Sequence, residues 1–227
     1  MKKKLFVSAS VAAVALGALL LPIEPARPAT PPPSVKAPAF DLSAFADANP
    51  GGPVDLVFLH HSVGGQLLTE PGPSKEMIAD TNIYVSHPNG GGLRRKLEAA
   101  GYKVHEAAYK SAVADRTDLF DWLPKFRGQM ARILRTAMHE EQLPGGMQNR
   151  VVMFKSCYPN NRFTAMGEAP GKAEGPELTV WNAKASFTAM LPEFAKHKDT
   201  LFVYLTAPAN VLKNPKVSLW KHLAKRA

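Results

Sequence analysis

Four short apolar runs alternate with longer amphipathic stretches along residues 54–205. The runs are rich in β-branched or aromatic residues, which predicts strands at Val54–Leu59, Lys103–Ala108, Arg150–Phe154 and Thr200–Leu205. Apolar positions at helical spacing predict helices at Gly92–Ala100, Leu123–His139 and Val180–Lys196, with a short helix at Gln66–Leu68. Because the strand runs do not alternate strictly between apolar and polar positions, both faces of the sheet should be covered. The pattern therefore predicts a three-layer α/β/α domain with a short parallel sheet.

The N-terminal region has the layout of a secretory signal. Lys2-Lys3-Lys4 precede an apolar run over residues 5–21, and a segment rich in small residues follows up to Ala29. This predicts a signal peptide over residues 1–29 and export to the periplasm or the extracellular space. The alternative is an uncleaved membrane anchor, since a run of about 17 residues is just long enough to span a bilayer. Residues 30–53 are rich in Pro and Ala and predict an extended linker, so the folded domain is expected over residues 54–227.

Composition narrows the possible chemistry. Cys157 is the single cysteine among 227 residues, which excludes an internal disulfide and a cysteine-rich metal site. The net charge is +9, but the Lys and Arg residues are scattered and are not interleaved with aromatic residues, so we expect no nucleic-acid partner. The glycine-rich segment Asn89–Arg95 lacks the Lys-Ser or Lys-Thr of a phosphate-binding loop and predicts a helix-capping turn. We predict no cofactor and no metal.

In open α/β sheets, sites lie in the crevice at the carboxyl ends of the strands. The first predicted strand runs into His60-His61-Ser62-Val63-Gly64-Gly65, which places Ser62 at a strand-to-helix turn as a candidate nucleophile. The alternative is a serine N-cap flanked by two packing histidines. Adjacent residues of a strand point to opposite faces, so His60 and His61 are not expected to bind one metal ion.

A second polar turn follows the third predicted strand and carries Asn160 and Asn161. Either amide could donate a hydrogen bond to an oxyanion, and the alternative is a common Pro-Asn turn. Ser156 and Cys157 in the same turn are rival nucleophiles, of which Cys157 is predicted to be structural because free cysteines are mostly buried.

The acids Asp115, Asp118 and Asp121 follow the second predicted strand. They suit either a cation or the first turn of a helix, and the helix is favoured because carboxylates stabilise its positive end.

A strand ending in a serine and an asparagine after the third strand together resemble the SGNH or GDSL-type hydrolases, in a divergent branch with His-His-Ser at the first block. The resemblance spans residues 54 to about 208. It implies a flavodoxin-like fold and hydrolysis of an ester through an acyl-enzyme. By position it implies that Ser62 is the nucleophile and that its own N–H, with Asn160 or less favourably Asn161, binds the oxyanion. The implied substrate is a small-molecule ester or an acylated carbohydrate.

The chain departs from that family's pattern at two blocks. No glycine follows the second strand until Gly128, and none of the seven histidines stands three residues after an aspartate. The general base is therefore unassigned, with His222 as the only histidine in the terminal region. The pattern after residue 205 also predicts no fifth strand. Two hypotheses follow: an exported serine esterase, or a catalytically inactive or truncated domain of the same fold that serves as a binding module or remnant.

Overall fold

The computed structural model describes residues 51–157, 160 and 162–207. The predicted signal segment 1–29, linker residues 30–50, Asn161 and the terminal segment with His222 lie outside the described residues. In chain order, the elements are β1 (Val54–Leu59), α1 (Ser62–Leu68), β2 (Glu76–Met77), β3 (Tyr84–Ser86), α2 (Leu93–Ala99), β4 (Tyr102–Ala107), a 3-10 turn (Leu119–Asp121), α3 (Trp122–Arg135), β5 (Val151–Lys155), α4 (Val180–Phe194) and β6 (Leu201–Leu205).

The central sheet of the described residues has four parallel strands in the order β4-β1-β5-β6. Val57 of β1 is registered with His105 of β4 and with Val152 of β5, and Val152 is registered with Phe202 of β6. The four predicted strands are confirmed, each to within one residue at either end. The strand order reverses between β1 and β5, so the crevice expected to hold a site lies at their carboxyl ends.

Two apolar layers cover the sheet. One face carries Leu56 and Phe58 of β1 and packs with α1 and α2 through Leu68, Leu93 and Leu97. The opposite face packs against α3 and α4 and has the larger buried cluster, which includes an aromatic group formed by Trp122, Phe126, Phe154, Phe194 and Phe202. Strands that bury both faces are rich in apolar residues and do not alternate strictly with polar ones, which is why the sequence pattern located them. The three-layer α/β/α architecture is therefore confirmed.

The helix after β1 begins earlier than the sequence predicted. Instead of starting at Gln66, α1 starts at Ser62 and includes both glycines. A Cβ on Gly64 would lie 2.2 Å from the Cβ of His60, and a Cβ on Gly65 would lie 2.2 Å from the carbonyl oxygen of Asn82. The glycines therefore let α1 pack close to the backbone and do not form the turn that precedes it.

Two smaller features also differ from expectation. Helix α3 ends at Arg135 instead of His139, because Thr136 is extended and its hydroxyl donates to the carbonyl of Arg132 at 2.9 Å. The antiparallel pair β2 and β3 was not predicted, since strands of two and three residues are too short to leave a periodic pattern.

Candidate functional site

A cleft opens at the carboxyl ends of β1, β4 and β5. Its volume is about 260 Å³, and the residues that follow the three strands contribute His61, Tyr109 and Cys157 to its wall. The loop from β4 to the 3-10 turn supplies the remainder, namely Asp115, Arg116, Thr117, Asp118 and Asp121. The cleft therefore lies where the strand order predicts a site.

Ser62 is the first residue of α1, directly after the cleft residue His61. His61 is the N-cap and makes no side-chain capping bond, so the alternative of Ser62 as an N-cap is wrong. Ser62 is half-buried, and no described residue accepts from or donates to its hydroxyl. Its backbone N–H lies in the first turn of the helix, where no intrahelical acceptor exists.

His60 points away from the cleft into a buried ionic network. Its Nε2 lies 2.9 Å from Oε2 of Glu106, and the other carboxylate oxygen of Glu106 accepts from Arg94. The Nδ1 atom of His60 lies 3.0 Å from the carbonyl oxygen of His61. Both ring nitrogens of this fully buried histidine are thus occupied, and His60 is not available as a base for Ser62.

His61 faces the opposite side of the sheet, as the alternation along β1 predicts. Its Nε2 lies 2.9 Å from the carbonyl oxygens of both Ala114 and Asp115, and its ring stacks on Tyr109 with centroids 3.6 Å apart. Burial lowers the pKa of His61, and the nearby His60 and Lys125 act in the same direction, while the two carbonyl bonds oppose them. The structure therefore favours a neutral imidazole held by its Nε2–H.

Asn160 is buried, and its side chain forms hydrogen bonds with the 3-10 turn. Its side-chain carbonyl accepts from the backbone N–H of Leu119, and its amide nitrogen donates to Oδ1 of Asp118 at 2.7 Å. A primary amide has two N–H groups, so one remains without a partner among the described residues. Its predicted role as an oxyanion donor stays a prediction that rests on that second N–H.

The two rival nucleophiles occupy different environments. Ser156 is fully buried, and its hydroxyl accepts from the indole N–H of Trp122 at 2.9 Å. Cys157 is half-buried and lines the cleft instead of being fully buried, and its structural role stays a prediction. Burial raises the pKa of Tyr109 to about 12, and its contact with Cys157 adds to the effect.

Of the three acids after β4, Asp118 and Asp121 have the helical role that the sequence favoured, whereas Asp115 lies in the loop before them. Asp118 and Asp121 form a reciprocal capping box around the 3-10 turn, and the Asp121 carboxylate lies 3.2 Å from the Arg116 guanidinium. Asp115 accepts from the backbone N–H of Lys110 at 2.9 Å. Among the described residues, no group of three or more His, Cys, Asp or Glu side chains could hold a metal ion.

Lys125, which sequence reasoning missed, lies next to this loop. Its ammonium donates to the carbonyl of Arg116 and lies 4.8 Å above the ring of Trp122. Burial lowers its pKa to about 8, against the opposing effect of Asp121 and Asp115. No sequence pattern indicates that a lysine inside an amphipathic helix is buried. Tyr109 could have been predicted as a site residue, because it directly follows a predicted strand.

A larger depression of about 430 Å³ lies along residues 167–172 and the start of α4. Its polar residues are used locally: Thr179 caps α4, and Asn182 accepts from the backbone N–H of Lys172 and donates to the carbonyl of Glu177. Neither histidine nor cysteine lines it, so the smaller cleft remains the candidate site.

None of the helices in the described part of the chain has the length and hydrophobicity needed to cross a membrane. Comparison of the chain with models of known families, with curated proteins and with solved structures finds no match.

Proposed function

We propose that this chain is an exported serine ester hydrolase that acts through an acyl-enzyme on Ser62. The observation that carries the proposal is the position of this serine at the carboxyl edge of a parallel sheet, at the strand-order reversal and beside a cleft. Its hydroxyl has no partner among the described residues, unlike the buried hydroxyl of Ser156. A hydroxyl that no structural contact uses is available to a substrate and to an activating base.

The oxyanion of the tetrahedral intermediate would be bound by two donors. The N–H of Ser62 has no intrahelical acceptor, and Asn160 keeps one amide N–H that Asp118 does not use. Each such donor is typically worth about 10² to 10³ in kcat when it is preorganised. Asn160 is fixed by Leu119 and Asp118, which supports such preorganisation.

The dimensions of the cleft favour a small acyl group. Its volume of about 260 Å³ is below the roughly 300 to 1,000 Å³ of pockets that enclose drug-sized ligands. A short acyl substituent on a carbohydrate or on another small molecule fits this size, with the alcohol part outside the cleft. The signal-like N-terminal segment supports a substrate outside the cytoplasm.

A non-catalytic binding module is the second candidate. It is favoured by the engagement of His60 with Glu106 and by the structural use of Asn160, since both interactions stabilise the fold without any reaction. In that case the cleft would bind a ligand without converting it, and Ser62 would be an ordinary surface serine.

A fluorophosphonate probe distinguishes the two candidates. We expect the purified wild-type chain to be labelled at Ser62, as located by mass spectrometry, and the Ser62→Ala variant to lose the label. Ser156→Ala is the matched control, because this buried serine should leave labelling unchanged. A folded wild-type chain that takes no label would contradict the hydrolase and leave the binding module.

A further inference from the structure

The His61 imidazole is oriented by two backbone carbonyls that belong to a different part of the chain. Its Nε2 lies 2.9 Å from the oxygens of Ala114 and Asp115. Carbonyl oxygens only accept hydrogen bonds, so Nε2 carries the proton and donates it to both. The neutral ring then has its lone pair on Nδ1, because the bond made by one ring nitrogen sets the state of the other.

Nδ1 of His61 is the free end of this ring. No described residue forms a hydrogen bond with it. In the described part of the chain, the side-chain polar atoms that are both inaccessible to solvent and without a partner belong to Thr117, His139, Asn149 and Ser186. Nδ1 of His61 is not one of them, so it is accessible from outside the protein. Because His61 lines the cleft, this accessible lone pair is available to a molecule that enters it.

The surroundings of His61 keep the ring in place and favour its neutral form. Tyr109 stacks against one face, and the raised pKa of its phenol leaves it uncharged. The ionisable groups nearest the ring are Lys125 and His60, and Asp115, Asp118 and Asp121 line the same cleft. Burial has the largest effect and lowers the pKa of His61, Lys125 and His60 act in the same direction, and the bonds to the carbonyls of Ala114 and Asp115 oppose them.

We propose that His61 is the general base that activates the hydrolytic water in the deacylation of Ser62. This role rests on the proposed serine hydrolase. Nδ1 accepts a proton from a water molecule as the water oxygen attacks the acyl carbon bound to the Ser62 oxygen. The tetrahedral intermediate then collapses, the bond between the acyl carbon and the Ser62 oxygen breaks, and Nδ1–H returns the proton to that oxygen. The products are a carboxylic acid and free Ser62.

Water is assigned as the proton donor in this step because of chain geometry. His61 and Ser62 are consecutive, and Nδ1 is on a ring fixed toward Ala114 and Asp115. Neighbours in sequence seldom align as base and nucleophile, whereas a general base can also act through one water molecule, and the cleft beside His61 is open to water.

His61→Gln is the most selective test. The glutamine amide can still donate to the carbonyls of Ala114 and Asp115, but it has no nitrogen that accepts a proton. With p-nitrophenyl acetate as probe, we expect an initial burst, accumulation of acetyl-Ser62 by mass spectrometry and a fall in steady-state turnover of about 10² to 10⁴-fold. His197→Gln is the matched control, since this histidine lies after α4 and outside the cleft.

Three outcomes would overturn the assignment. The first is unchanged turnover in His61→Gln, and the second is a folded variant that no longer acetylates Ser62 at all. The third comes from long-range ¹H–¹⁵N spectra of the wild-type chain at pH 7, if they show the proton of His61 on Nδ1. Failure of the hydrolase proposal is seen separately, as a wild-type chain that neither labels nor acetylates at Ser62.

Discussion

Replacing Lys125 with methionine should change how the stability of the protein depends on pH. The side chain is buried on α3, where its ammonium donates to the carbonyl of Arg116 and faces Trp122. Methionine has a similar length and fills the same apolar space, but it carries no charge. The variant therefore removes the ionisation and keeps most of the packing.

The magnitude follows from the lowered pKa of Lys125, which falls from 10.5 to about 8 because of burial. One pKa unit corresponds to about 1.4 kcal/mol, so keeping this lysine charged in the folded state opposes folding by about 3 kcal/mol at pH 7. Between pH 8 and 10.5 the unfolded chain binds more protons than the folded chain, so stability rises with pH. From pH 7 to 9.5 the rise due to Lys125 should be about 2 kcal/mol.

The assay is urea unfolding of wild type and Lys125→Met at both pH values. Between pH 7 and 9.5, the free energy of unfolding of the wild-type chain should rise by about 2 kcal/mol relative to that of the variant. In thermal unfolding this corresponds to about 4 to 8 °C in Tm for a domain of this size. Lys184→Met is the matched control, since its ammonium lies 4.6 Å above Trp181 but its side chain is exposed. Parallel pH dependence of wild type and Lys125→Met would show that the lysine is not desolvated in the folded protein.

Two further substitutions test the site's framework by thermal or urea unfolding. Gly64→Ala should destabilise the fold by about 1 to 3 kcal/mol, because its Cβ would meet His60 at 2.2 Å, whereas Gly128→Ala should be neutral or stabilising because a Cβ there meets nothing within 4 Å. Equal effects of the two substitutions would contradict close packing of α1. Asn160→Ala should cost about 1 to 3 kcal/mol by leaving the Leu119 N–H buried without an acceptor. Unchanged stability would show that this contact is not formed in solution.

The strands and the class of fold could be predicted from the amino-acid pattern alone. Strands buried on both faces, such as β1 and β5, are apolar at most positions, and this leaves a run that can be found without knowledge of their partners. The helical periodicity of α3 and α4 reports their single buried face in the same way. The position of Ser62 after β1 follows as well, because the carboxyl ends of parallel strands share one edge.

The interactions of the cleft residues could not be predicted from the sequence and are known from the folded chain. The ring of His61 is held by carbonyls more than fifty residues away, and Asn160 holds a turn about forty residues before it. Gly64 and Gly65 are typical turn residues in the sequence, yet they lie inside α1, where His60 and Asn82 leave no space for a side chain. A local sequence pattern indicates which positions of one helix or strand are buried. The hydrogen-bond partners and the desolvation of a side chain depend on groups that are distant in sequence and meet only in the folded chain.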